Sequence, residues 1–256
     1  MKPTIHHYRT LWLSDVHLGT RACRDEAFKA FLKTHHADTI YLVGDIIDAW
    51  MLKDNWYWPT RHSDILRLLV KKAKKCRMVY VPGNHDGLLR PFVPLEIGAI
   101  ELRFEAEHVT ADGRKLLVMH GDLFDGAMSR GKVLTTLGTW FYDALIEVNG
   151  WLHRWNTRLG RPHFSLAQFL KDHSKDAREL IAKFRTLSLQ HARKRGYDGI
   201  VTGHIHHGEI LEEDGILYAN SGDWVDDCTA LAETWSGELL LLRQSSPKEL
   251  TLLGST

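Results

Sequence analysis

The stretch Met78-Val79-Tyr80-Val81-Pro82-Gly83-Asn84-His85-Asp86 decides the reading of this chain. An apolar, β-rich run stops at a Pro-Gly turn signal, and three polar side chains suited to chemistry follow at once. The same pattern recurs outward in both directions. Thr10–Ser14 runs into Asp15-Val16-His17, and Thr39–Val43 runs into Gly44-Asp45. Leu116–Met119 runs into His120-Gly121-Asp122, and Gly199–Thr202 runs into Gly203-His204-Ile205-His206-His207. Between these strands the spacing predicts helices. Over Asp25–Lys33, Phe28, Phe31 and Leu32 share one side. Over Ser63–Lys75, Ile65, Leu66, Leu69, Val70 and Ala73 face inward and the lysines face water. The alternation gives an α/β fold, in which functional loops gather at the carboxyl ends of the strands. Short hairpin-like runs from Ile210 to Leu242 close the pattern, with turn signals at Glu213-Asp214-Gly215 and Ser236-Gly237.

Composition removes several function classes. The chain has 256 residues, 44% hydrophobic and 25% charged, as in an ordinary globular protein. A formal net charge of +1 disfavours a nucleic-acid binder, and no nucleic-acid partner is expected. No apolar stretch has the length of a membrane span, and the first ten residues lack the apolar core of an export signal. Cys23, Cys76 and Cys228 are scattered and read as reduced thiols. The expected location is therefore cytoplasmic, with a peripheral place on the inner membrane as its variant.

Between Asp122 and Gly199 the pattern changes. Leu134, Leu137, Phe141, Leu145, Val148, Trp151, Leu152 and Trp155 recur at helical steps, and Gly160-Arg161-Pro162 breaks them. A second helical pattern carries Leu166, Phe169, Leu170, Ala177, Leu180, Ile181, Phe184 and Leu187. The expected division is a core over 1–125 and 197–256 with a helical insertion, a lid or cap, over 126–196. The Trp-rich stripe suits core packing, a lipid-lined groove or a peripheral membrane contact, and its residues do not choose among them.

The polar clusters suit a metal site. Asp15 and His17 are two apart, so in extended chain they point the same way. Asp45 can bridge two cations, Asn84 offers a neutral oxygen, and His120, His204 and His206 offer nitrogens. Mixed N/O ligation suits manganese, iron, zinc or cobalt and not calcium. Gly44, Gly83, Gly121 and Gly203 adjoin these residues and permit tight turns. The remaining histidines have no such context and read as structural.

These five blocks, in this order over residues 15–207, resemble the calcineurin-like metallophosphoesterase superfamily. The resemblance implies a four-layer α-β-β-α sandwich core holding two divalent metal ions, manganese first and iron or zinc next. One ion would take Asp15, His17 and His206, the other Asn84, His120 and His204, with Asp45 between them. His85 would serve as the catalytic proton donor beside the metals, held by Asp48, and Asn84 would also touch substrate. Within the superfamily, the blocks DVHLG and GDIIDAW and the size of the insertion are similar to the UDP-2,3-diacylglucosamine pyrophosphohydrolases of lipid A biosynthesis. That likeness implies cleavage of a nucleotide-linked lipid to UMP and a lipid sugar phosphate, with Ser174 and Lys175 as polar substrate contacts in the lid. This chain departs from that group at His85, where it usually has Arg. The rival readings are a phosphodiesterase or phosphatase on another nucleotide or phospholipid-related substrate, a nuclease, and a scaffold without metals. The near-zero charge and the complete donor set count against the last two.

Overall fold

The computed structural model describes residues 4–54, 56–128, 175–246 and 249–256. Two sheets carry the fold. The first joins β1 (His6–Leu13), β2 (His35–Val43), β3 (Arg77–Val81), β4 (Leu95–Ile97), β5 (Ile100–Leu102), β11 (Thr229–Glu233), β12 (Leu239–Ser246) and β13 (Glu249–Ser255), in the order β13-β12-β11-β1-β2-β3-β5-β4. The second joins β6 (Ala106–Val109), β7 (Lys115–Val118), β8 (Gly199–Thr202), β9 (Glu209–Glu213) and β10 (Ile216–Asn220), in the order β6-β7-β8-β10-β9.

Alternation along each strand builds the layers. Trp12, Tyr41, Val43, Val79 and Val81 face one way from the first sheet and meet Leu116, Val118, Val201, Leu217 and Ala219 from the second. Their neighbours Leu11, Leu13, Ile40, Leu42 and Met78 face the other way, under α1 (Asp25–Thr34) and α2 (Thr60–Ala73). On the far side of the second sheet, Leu117, Ile200 and Tyr218 pack with Phe184, Leu189 and Ala192 of the helix Lys175–Lys194. The result is the expected α-β-β-α sandwich. This last helix falls within the stretch expected to form the insertion. From Phe184 onward it buries Phe184, Ser188, Leu189 and Ala192 and covers the second sheet. Leu180, expected on the buried stripe, is exposed. The Trp-rich helix expected over 134–155 lies outside the described residues.

Helix α2 corrects two expectations. Ile65, Leu69 and Ala73 are buried, whereas Val70 is exposed. At about 100° per residue, Val70 sits about 140° round the helix from Ile65, off the apolar stripe. Lys72 sits only about 20° from Ile65 and is buried, against the expectation that the lysines face water. Its stem packs inward and its ammonium donates to the His35 carbonyl at 2.7 Å.

Register places the site. β1, β2 and β3 run parallel, with Trp12 beside Tyr41 and Tyr41 beside Val79. β7 and β8 run parallel, with Val118 beside Val201. The carboxyl ends of β1, β2 and β3 therefore share one edge of the first sheet, and those of β7 and β8 share one edge of the second.

Candidate metal centre

The loops leaving these strands are held in unusual backbone. Asp15, His17, Asp45, His204 and His206 all have positive φ, between 51° and 73°. Each such non-glycine residue costs about 1–2 kcal/mol, so their concentration at one place points to a functional demand. The cost is met by backbone hydrogen bonds: Asp15 N donates to Gly44 O at 3.0 Å, and His17 N to Asp45 O at 2.9 Å. Two glycines make the close approach possible. A side chain at Gly83 would overlap the Asp45 carboxylate and the His120 ring, and one at Gly44 (φ 82°) would overlap that ring from the other side. The tail segment braces the same loops. Asn220 Nδ2 donates to Gly203 O at 2.7 Å, and Trp224 N donates to Asp15 O at 2.9 Å.

Hydrogen bonding fixes which atoms face the centre. His120 Nδ1 is 2.8 Å from Val43 O and must donate its proton there. That leaves Nε2 as a bare lone pair in the neutral ring, 3.2 Å from both Asn84 Oδ1 and Asp45 Oδ2. His17 Nδ1 donates to Asp48 Oδ2 at 2.9 Å, leaving its Nε2 3.3 Å from His206 Nε2. His206 Nε2 is also 3.2 Å from Asp15 Oδ1, a fully buried oxygen with no hydrogen-bond donor. His204 joins Asp45 and His120 in a third grouping of donor atoms within 4.8 Å, and its Nε2 is 2.7 Å from Asp125 Oδ1.

Acceptor facing acceptor is repulsive unless a cation lies between. Separations of 3.2–3.3 Å match the roughly 3.0–3.4 Å edges of an octahedron or tetrahedron with bonds of about 2.1 Å. The residues present therefore fit divalent metal ions: Asp15, His17 and His206 on one side, Asp45, Asn84, His120 and His204 on the other. Asp45 Oδ1 accepts the His85 N–H at 2.8 Å while Oδ2 turns toward His120.

The charges of the metal-free protein are coupled in the same way. Burial lowers the His17 imidazole, but the Asp48 hydrogen bond and the charges of Asp45, Asp48 and Asp15 outweigh it and raise it to about 9. Burial likewise opposes His120, and Asp45, Asp15 and Asp122 raise it to about 10. Burial raises Asp45, yet His120, His17 and His85 hold it well below the usual carboxylate range. Without metal, protons on imidazoles play the part of the missing cations, and metal binding must release them.

Asp48 and His85 come into contact. Asp48 Oδ2 lies 2.9 Å from both His17 Nδ1 and His85 Nδ1, the second contact being close but angled. Its Oδ1 accepts the Met51 N–H at 2.9 Å. Burial raises the Asp48 carboxyl, and the His17 and His85 contacts overcome this and lower it. Trp50, largely exposed, covers His85 with ring centroids 4.6 Å apart. Of the two residues carried over for substrate contact in the lid, Ser174 lies outside the described residues. Lys175 is exposed in the first turn of the helix Lys175–Lys194 and pairs with Glu179 at 3.7 Å, with no recorded contact to the donor residues.

Three further carboxylates shape the site from outside the expected donor set. Asp86 binds the Ile46 N–H at 2.9 Å, the Gly83 N–H at 2.6 Å and the Tyr80 hydroxyl, so it shapes the loop from inside. Asp122 holds Arg90, and Asp125 holds His204. Only the strand-end position of Asp86 and Asp122 hints at these roles.

The sequence profile of the calcineurin-like phosphoesterase family matches residues 8–208. A UDP-2,3-diacylglucosamine hydrolase of Aliivibrio fischeri (strain MJ11) is 33% identical over 116 residues, 44% of this chain and 47% of that protein. One from Klebsiella pneumoniae is 32% identical over 120 residues, 44% of this chain and 48% of that protein. The chain thus aligns with about half the length of these curated relatives. Among solved structures, Vacuolar Protein Sorting 29 from Cryptosporidium parvum aligns with a TM-score of 0.49 at 12% identity, over 96% of this chain and 95% of that one. Yfce, a phosphoesterase from E. coli, aligns with a TM-score of 0.48 at 12% identity, over 96% of this chain and 97% of that one. The family match takes in every strand-end block from Asp15 to His206, and the chain belongs to the calcineurin-like phosphoesterase family, whose chemistry implies divalent metal ions.

Proposed function

We propose that this protein hydrolyses the diphosphate of a nucleotide-linked glycolipid resembling UDP-2,3-diacylglucosamine, releasing UMP and a lipid sugar phosphate. The observation that carries the hydrolytic part is the pair of facing lone-pair clusters around Asp15 and Asp45. The names of the curated relatives support the substrate. The exposed apolar side chains Trp50, Trp56, Leu88, Phe92 and Leu123 suit a lipid-bearing ligand.

Two divalent ions, when bound, supply charge neutralisation at a phosphoryl group and activation of an attacking water. Manganese is the preferred ion, and iron and zinc fit the same donors. The protein does the rest. Asp15, His17 and His206 would hold one ion, and Asn84, His120 and His204 the other, with Asp45 available to both. Asn84 also meets a substrate oxygen. Asp48 fixes the Nδ1 side of His17 and of His85 together, so the His85 Nε2 proton is free to pass to the leaving oxygen. Trp50 keeps water from one face of that ring. In this reading residues 126–196 form the lid, its last turns anchored on the second sheet, and Ser174 and Lys175 contact the ligand's polar groups. The protein works in the cytoplasm, taking substrate from the inner membrane's surface. No helix among the described residues is long and apolar enough to cross a membrane.

A second reading rests on His85 itself. Histidine in that place can give up a proton, whereas arginine only clamps phosphate. This favours a phosphodiesterase or phosphatase on another nucleotide or phospholipid-related substrate. Purified full chain loaded with manganese separates the two. Release of UMP from UDP-2,3-diacylglucosamine is the expected result. Hydrolysis of bis(p-nitrophenyl) phosphate with no UMP release would replace the first reading with the second.

A further inference from the structure

Arg90 lies in the 3-10 turn Gly87–Phe92, just after the Asn84 loop. One of its nitrogens, Nη2, makes every recorded bond of the side chain: to Asp122 Oδ1 at 2.8 Å, to Asp122 Oδ2 at 2.7 Å and to Pro82 O at 3.2 Å. Pro82 precedes Asn84 by two residues and Asp122 follows His120 by two. The guanidinium therefore sits where the two loops carrying Asn84 and His120 come together. The Asp122 charge beside it is felt at the His120 ring.

The way Arg90 is anchored is informative. A guanidinium that only clips loops to a carboxylate commonly spends a two-nitrogen edge on the two oxygens. Here both oxygens fall to one nitrogen, and among the described residues the edge formed by Nε and Nη1 has no acceptor. The side chain is 37% exposed, so that edge is open to a ligand. A diphosphate diester carries two anionic phosphates. Cations at the metal centre neutralise the one under attack, and the other needs fixed donors. A planar edge of N–H groups with a permanent charge suits two oxygens of that phosphate.

We propose that Arg90 binds the second, non-reacting phosphate of a diphosphate ligand beside the Asn84–His120 side of the metal centre. This rests on the diphosphate reading above. It assigns a binding role to a residue outside the donor set, with Asp122 as the group that orients it.

The test uses the whole manganese-loaded chain with bis(p-nitrophenyl) phosphate as reporter substrate. UMP, with one phosphate, and UDP-N-acetylglucosamine, with two, compete in the same assay. The ratio of their inhibition constants is internal to each variant, so it does not depend on the variant's own turnover. The wild type is expected to bind the two-phosphate ligand more tightly than UMP. In Arg90→Gln that preference falls about tenfold or more, and in Arg90→Lys it falls less, because the charge remains but the planar edge is lost. A preference in the wild type that survives unchanged in Arg90→Gln overturns the role of Arg90 and leaves the diphosphate reading standing. A wild type with no preference over UMP overturns both.

Discussion

Two regions of this protein bury carboxylates against imidazoles, and they do so in opposite ways. Around Glu233 every lone pair has a donor. Its oxygens accept from Arg9 Nη1 at 2.7 Å, from Thr10 Oγ1 at 2.7 Å, from His108 Nε2 at 2.9 Å and from Ala111 N at 2.7 Å. Five residues further along the chain from Thr10, roughly 16 Å if extended, Asp15 Oδ1 is buried and faces His206 Nε2 at 3.2 Å without the alignment of a hydrogen bond. The first region is a closed account of hydrogen bonds and stabilises the sandwich between β1, β6 and β11. The second leaves acceptors facing acceptors and backbone held at positive φ, and becomes favourable only with cations present. A buried Asp–His contact is thus a mark of function when the donors run short, not when the pair merely exists.

The sharpest break between the regions is Asp45→Ala. It removes the carboxylate shared between the two sides of the centre. Hydrolysis of any phosphoester falls below detection and bound metal falls below two ions per chain, as read by elemental analysis. His85→Ala comes next: turnover falls roughly 10²–10⁴-fold with metal content kept, as expected for loss of a proton donor. Equal loss of metal and turnover in that variant would make His85 a ligand instead.

In the other region the expected effects are on stability alone. Glu233→Ala leaves Arg9 and His108 without their partner and costs about 2–4 kcal/mol in urea unfolding, with metal stoichiometry unchanged. Burial raises the Glu233 carboxyl, but His108, Thr10 and Arg9 outweigh it and hold it at about 2, against 4.5 when unfolded. Between those values the unfolded chain binds more protons, so this contribution is present above pH 4.5 and is lost as pH falls toward 2. Glu233→Gln lacks that slope. Retention of the full acid slope would assign it to other carboxylates.

The smallest effect belongs to Lys72→Met. Burial pushes the Lys72 ammonium down to about 8, from 10.5 when unfolded. The variant trades a desolvated charge and one hydrogen bond for an apolar fit, so stability at pH 7 shifts by less than about 1 kcal/mol. The wild type gains stability from pH 8 to 10.5, where the unfolded chain binds more protons, and the variant does not.

The order of these effects also explains what could be read from the chain itself. Asp15, His17, Asp45, Asn84, His120, His204 and His206 stand in the loops just after strands, so local pattern marked them as candidate donors, and the family resemblance grouped them. Asp48 and His85 were reached through that resemblance alone. Glu233, Arg90 and Asp125 depend on partners far away in sequence, and no local pattern announces such a pairing. Val70 and Lys72 show the limit of reading hydrophobicity alone: a valine one step off the stripe is exposed, and a lysine on the stripe is buried through its stem. Strands β4, β5 and β6 are short and β4 is wholly exposed, so no apolar alternation marks them. The helix Lys175–Lys194 blends in sequence with the aromatic stretch before it, and only its contact with β8 and β10 reveals it as a layer of the sandwich.

Anomalous diffraction from manganese-soaked crystals addresses the facing lone pairs most directly. Two peaks about 3.5–4 Å apart are predicted, one among Asp15 Oδ1, His17 Nε2 and His206 Nε2, the other beside Asp45 Oδ2, Asn84 Oδ1 and His120 Nε2. A map with no peak at either place, with the histidines instead bonded to each other through protons, would contradict the account.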